Sequence, residues 1–256
     1  MNIEVIKAQL RALRLSTSAK EIELLLTRYK KHPVIDIIGD MLVPELDARK
    51  ERALVSRIKN AAFPEIATLE EFDWQFNPDI RKEVIEQLAT LNFLDKKGIV
   101  LFLGKPGTGK THLALGLGLL AVRAGHKVYC TSAKRLAKEI ALAKAASSLD
   151  RLFKRILSAK LWIIDDWGVI GLARDVAEEV FDLLDRRKHT SAMIVTSNRD
   201  VAEWPEVFPD GILAAASLDR MFDRADVNLF LGKSYRMKGR IDEEVVDGGK
   251  PMSHET

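Results

Sequence analysis

Ile99-Val100-Leu101-Phe102-Leu103 is an apolar run that passes directly into Gly104-Lys105-Pro106-Gly107-Thr108-Gly109-Lys110-Thr111. The run predicts a short buried strand, and the residues from Lys110 onward read as a helix. Glycines at 104, 107 and 109 let the backbone turn tightly and present N–H groups to the oxygens of an anion. A helix opening at Lys110 aims the positive end of its dipole at the same point. This pattern is a cradle for a nucleoside triphosphate such as ATP, with Gly104, Pro106, Gly107, Thr108 and Gly109 shaping the loop. Lys110 would reach the β- and γ-phosphates, and the Thr111 hydroxyl would ligate Mg²⁺.

Further short apolar segments follow at Val128–Thr131, Leu161–Ile164, Met193–Thr196 and Val227–Leu231, separated by helical stretches. The alternation predicts an α/β fold with a mainly parallel sheet flanked by helices, its ligand at the carboxyl ends of the strands. Before it, residues 1–67 read as a small all-helical domain. Ser18 is placed to cap a helix carrying Ile22, Leu25 and Leu26, with Glu21 as its capping-box partner. A second helix is expected from about Pro44 to Ala61, an extended stretch from Phe63 to Pro78, and a helix from about Ile80 to Leu91. The expected divisions are 1–67 helical, 68–241 nucleotide-binding, and 242–256 a disordered tail.

At 256 residues the chain can bury one sizeable core and carry a smaller module. One cysteine, Cys130, excludes an internal disulfide framework and sits in an apolar run as a buried thiol. Met1 to Leu10 is too interrupted by polar residues for a signal peptide, and no segment approaches the roughly 20 apolar residues of a membrane span. A cytoplasmic location and no membrane partner are expected. A net charge of +3 is too small to argue for nucleic acid by itself.

Leu161-Trp162-Ile163-Ile164 ends in Asp165-Asp166. Carboxylates at the end of a strand can hold Mg²⁺ and polarise a water beside the γ-phosphate. Asp165 is assigned to the metal sphere with Thr111, and Asp166 to the water. Met193-Ile194-Val195-Thr196-Ser197-Asn198 is a second apolar strand with a polar end, where Asn198 could bond the attacking water or the γ-phosphate.

Together these three motifs resemble the AAA+ ATPases, and most closely the branch of DnaC-type helicase loaders and IstB-type transposition helper proteins. Many relatives in this class carry Glu where Asp166 stands. The resemblance implies that Arg220, in Ser217-Leu218-Asp219-Arg220-Met221, is an arginine finger reaching a neighbouring subunit's γ-phosphate, with Arg224 as its rival. It implies that Arg236, in Ser234-Tyr235-Arg236, contacts the phosphate of its own subunit. Lys59-Asn60-Ala61-Ala62-Phe63-Pro64 and Thr68-Leu69-Glu70-Glu71-Phe72-Asp73-Trp74 are similar to the IstB branch. Lys105 and Trp167 depart from it, standing where proline and a smaller aliphatic are commoner.

This likeness implies a homo-oligomeric ATPase with ATP sites at subunit interfaces. It would assemble on double-stranded DNA with little sequence preference and stimulate the transposase of the same insertion sequence. A DnaC-like replicative helicase loader is the alternative. A catalytically dead interaction module would be expected to have lost Lys110 or an aspartate of the pair. Candidate phosphate-tracking residues are Lys30-Lys31; Arg49, Lys50, Arg52, Arg57 and Lys59; Lys134, Arg135 and Lys138; and Arg151, Lys154 and Arg155.

Overall fold

The computed structural model describes residues 3–28 and 34–238, and the chain divides after Lys59 into two compact units. Residues 60–67, expected with the helical domain, fall in the second unit. Lys30-Lys31 and the tail from 242 lie outside the described residues.

The first unit contains α1 (Ile3–Ala12), α2 (Ser16–Arg28) and most of α3 (Val34–Ala61). Leu10, Ala19 and Ile22 form its core, with Ile6, Leu15 and Met41 packed around them. Helix α2 begins at Ser16, so Ser18 is not its cap. The buried Ser18 hydroxyl instead donates to Met41 O at 2.8 Å. The first-turn N–H of Thr17 is taken by the carboxylate of Glu45, 2.9 Å away, which is itself buried on α3. Arg49 and Arg52 pair with that carboxylate, and Arg49 also donates to Arg14 O. Helix α3 runs through Pro44 and does not start there. Proline suits a first helical turn, but here earlier residues already supply helix and the ring is accommodated in it.

The second unit is a five-stranded sheet in the order β2-β3-β4-β1-β5, with every pair parallel. The strands are β1 (Ile99–Gly104), β2 (Val128–Ser132), β3 (Leu161–Asp165), β4 (Ala192–Ser197) and β5 (Ala225–Phe230). The helices are α4 (Lys82–Ala89), α5 (Asn92–Asp95), α6 (Lys110–Arg123), α7 (Ala133–Ala145), α8 (Leu149–Leu157), α9 (Arg174–Arg187) and α10 (Gly211–Phe222). On one face Leu101, Tyr129, Trp162 and Val195 pack against side chains of α7, α8, α9 and α10. The alternate residues face α6, where Gly118 closes on Ile163 and Phe63. Residues 63–78 are not extended but form a succession of turns. Thr68 and Glu71 cap each other there, each accepting the other's backbone N–H at 3.3 Å. Among the described residues no helix is long and apolar enough to cross a membrane.

The strand order decides where chemistry can occur. Strands β3, β4 and β1 are neighbours, so the loops leaving their carboxyl ends meet at one edge. Gly104 ends β1 at φ +143°, and a Cβ there would lie 2.2 Å from the backbone oxygen of Phe230 on β5. That clash is backbone on both sides and cannot be relieved by a rotamer. Gly104→Ala is expected to destabilise the protein by about 2 kcal/mol or more, lowering the urea midpoint. Gly171→Ala, with no heavy atom within 4 Å of the added carbon, should leave that midpoint unchanged.

Candidate nucleotide site

The loop from Gly104 to Gly109 wraps the start of α6. Lys110 is buried, and its ammonium donates to Gly104 O and Lys105 O, both at 2.7 Å, which holds it under the loop. Burial pushes its pKa down to about 8, against the opposing pull of Asp166 and Asp165. Thr108 Oγ1 closes the loop on Lys105 O. Gly107, at φ +78°, leaves no room for a Cβ because Ser234 Oγ would stand 2.0 Å from it. Its carbonyl accepts the N–H of Tyr235 at 2.9 Å. The 234–236 segment therefore lies directly on the loop.

Asp165 and Asp166 leave β3 in different roles. Asp165 Oδ1 accepts from Thr111 Oγ1 at 2.8 Å and from Thr196 Oγ1 at 2.6 Å. A hydroxyl and a carboxylate in contact, both hard oxygen donors, suit Mg²⁺ completed by waters and phosphate oxygens. Asp166 has a left-handed backbone, φ +53°, and its N–H donates to Thr196 Oγ1 at 3.0 Å. Asn198 Nδ2 donates to Asp166 Oδ1 at 3.3 Å. Desolvation, with the charge of Asp165, holds the Asp166 carboxyl above the ordinary aspartate range, while Arg236 and Lys110 pull it down.

A cavity of about 300 Å³ opens here, lined by Gly107 through His112, Asp166, Asn198 and Arg236. Its remaining wall is Phe72, Phe76, Asn77 and Tyr235, with acidic Glu65, Glu71 and Asp73. These wall residues were missed as site residues, because an irregular stretch has no period to mark which side chains face inward. His112 Nε2 lies 2.7 Å from Thr68 O and its ring packs against Phe72. The Asn77 amide both donates to Lys233 O and accepts from Lys233 N–H, fixing the strap that leads to Arg236.

Arg220 does not line this cavity. It is partly exposed on α10, paired with Asp185 at 2.7 Å and Asp219 at 2.6 Å. The candidate DNA residues lie elsewhere as well. Arg49 and Arg52 hold Glu45, Lys50 pairs with Asp47, and Arg57 lies on α3. Arg135 and Arg155 share Glu139, whose carboxylate also meets the Tyr129 hydroxyl. Lys134, Lys138, Arg151 and Lys154 are exposed on α7 and α8. Cys130 is buried, which pushes its thiol up to about 12 and leaves it unreactive.

Residues 8–243 match the model of the IstB-like ATP binding protein family. The chain belongs to that family. It is 40% identical to the ATP-binding protein of insertion sequence IS21 from Pseudomonas aeruginosa, over 77% of this chain and 74% of that one. It is 33% identical to the corresponding protein of insertion sequence IS5376 from Geobacillus stearothermophilus, over 80% of this chain and 82% of the relative. Among solved structures, AMPPCP-bound DnaA from Aquifex aeolicus superposes with a TM-score of 0.55 at 20% identity, over 72% of this chain and 59% of that one. The DnaC helicase loader gives 0.51 at 18% identity, over 58% of this chain and 87% of the loader. The two superpositions identify an AAA+ fold.

Thr196 is the hinge of the site, fully buried and bonded to both aspartates. Thr196→Val keeps the shape and leaves the Asp166 N–H and one lone pair of Asp165 without their partner. It should cost about 1–3 kcal/mol of stability, measured by chemical denaturation. A midpoint equal to that of the unsubstituted protein would show that neither bond contributes.

Proposed function

We propose that this chain is a Mg²⁺-dependent ATPase that assembles on double-stranded DNA and serves the transposase of its insertion sequence. The observation that carries the reading is the convergence of Lys110, Thr111, Asp165, Asp166 and Asn198 from three adjacent strand ends. Thr111 and Asp165 would hold Mg²⁺, which would supply positive charge to offset that of the phosphates. Lys110, released from its two carbonyls, would neutralise the β- and γ-phosphates. Asp166 would accept a proton from the attacking water as its oxygen bonds to the γ-phosphorus. The bond from the γ-phosphorus to the β,γ-bridging oxygen would break with its electron pair left on ADP, releasing ADP and inorganic phosphate. Asn198 would keep the Asp166 carboxylate turned to that water.

The more similar relatives are insertion-sequence proteins, which favours a transposition helper over a helicase loader; the likeness to DnaC is one of fold. Lys110 and both aspartates are in place, which disfavours a dead interaction module. A homo-oligomer with Arg220 completing a neighbour's site fits an arginine outside the cavity of its own subunit.

Lys110→Ala should abolish nucleotide binding at micromolar concentrations. Asp166→Asn should retain it and hydrolyse at least about tenfold more slowly. Arg220→Ala should bind ATP without hydrolysing it and regain activity when mixed with the Lys110→Ala protein. Turnover independent of protein concentration, with no recovery on mixing, would place the finger in cis or nowhere.

For DNA, replacing Arg49 or Arg52 would also free the buried Glu45, so the informative set is Lys134, Lys138, Arg151 and Lys154. Their replacement by Ala should weaken binding to all duplexes alike and flatten the salt slope by about 0.9 for each phosphate no longer neutralised. A strong preference for one short sequence, or affinity insensitive to salt, would remove the basis of the helper reading.

A further inference from the structure

The backbone that leaves β3 is fastened residue by residue to the end of β4. The Asp166 N–H goes to Thr196 Oγ1, the Trp167 N–H to Thr196 O at 2.8 Å, and the Trp167 carbonyl accepts from Ser197 Oγ at 2.7 Å. At the start of this ladder Asp166 stands in a left-handed conformation, uncommon for a residue with a side chain though better tolerated by aspartate than by most. Gly168 follows at φ +89°. Between these two positive-φ residues lies the Trp167 indole, 1% exposed. It packs against Trp204 and Phe208 with ring centroids 6.2 and 6.0 Å away.

The ring is held by shape alone. Among the described residues the buried Trp167 Nε1 has no hydrogen-bond partner, and neither has that of Trp204. An indole whose polar atom goes unused contributes volume, and a smaller side chain here would leave a gap that the turn could relax into. The turn holds a carboxylate that is one methylene shorter than glutamate and that must nevertheless face the cavity. Its side-chain anchor, Asn198, is at 3.3 Å, near the long end of a hydrogen bond, and does not fix it alone.

We propose that Trp167 is a positioning residue for Asp166: its buried indole locks the left-handed turn that carries the short carboxylate into the cavity. This rests on the reading of Asp166 as the water-polarising carboxylate. Trp167 itself does not line the cavity. Its effect is transmitted through one backbone conformation, so it should be visible in turnover and absent from nucleotide affinity.

The test uses the full chain with ATP, following turnover at saturating nucleotide and affinity by direct titration. Trp167→Leu should lower turnover at least about tenfold and leave affinity within about twofold. In an Asp166→Asn background the same change should have no further effect, because the group it positions is gone. Trp167→Phe, which keeps a ring and a folded core, should show a smaller loss that also vanishes in that background. Trp167→Leu/Asp166→Glu should recover part of the activity, since the longer side chain reaches from a relaxed turn. Turnover near the unsubstituted value in Trp167→Leu, or an equal further loss in the Asp166→Asn background, would overturn the proposal. If Trp167→Leu does not fold, the Trp167→Phe pair decides by the same comparison. Asp166→Asn retaining full turnover would instead defeat the underlying reading of Asp166, and the proposal with it.

Discussion

The hydroxyl of Thr196 bonds at once to the carboxylate of Asp165 and to the N–H of Asp166, and through Asp165 it reaches Thr111 in the first turn of α6, directly after the phosphate loop. It can do so because β4 lies between β3 and β1 in the sheet. Insertion of one strand between any of these three would part the carboxylates from the loop by about 4.8 Å per strand. The strand order is thus a chemical requirement as well as a packing solution. The apolar residues that fill β1, β3 and β4 on both faces keep the neighbours in register and hold the polar ends in place.

The polar ends also set the electrostatics. Two aspartates, one lysine and Arg236 act on one another at the mouth of the cavity, and burial works against every charge that is desolvated there. Lys110 answers by turning onto two loop carbonyls; Asp165 takes two hydroxyl donors. Both charged groups are thus satisfied within the protein by partners of the kind that a phosphate or a cation could replace. Such pre-satisfied groups keep a polar cavity stable while it waits for a highly charged ligand.

Much of this was legible in the chain. Five apolar runs sit within a few residues of five strands, and the phosphate loop, the aspartate pair and the Thr-Ser-Asn strand end are local patterns with a direct physical reading. What was not legible depends on distant partners. Pro44 looks like a start because a helix can begin there, and nothing local tells that α3 already runs from Val34. Ser18 looks like a cap, but Glu45, on a different helix, takes the N–H that needs one. The cavity wall at Phe72 and Phe76 belongs to turns without period, held by Asn77 against a residue more than a hundred positions away. Basic residues show their charge in a sequence and hide their occupation: Arg49, Arg52, Arg135 and Arg155 are each tied to a carboxylate, whereas Lys134 and Lys154 are simply exposed.

The same distinction bears on Arg220. Its guanidinium is bonded to Asp185 on α9 and to its neighbour Asp219, yet all three side chains remain about a third exposed or more. Exposed ion pairs contribute about 0–1 kcal/mol, because water and salt screen the charges. A γ-phosphate presented by another subunit carries more charge and a bidentate geometry that guanidinium matches. On the proposed reading of Arg220 as a finger, such a phosphate would take it from its carboxylates at little cost. The two carboxylates hold the side chain in one orientation, which would reduce the entropy lost on such a transfer. An arginine committed to a buried carboxylate, as with Glu45 in the first unit, could not be recruited in this way. Partial exposure of the pair is what would let a finger be both ordered beforehand and released on assembly.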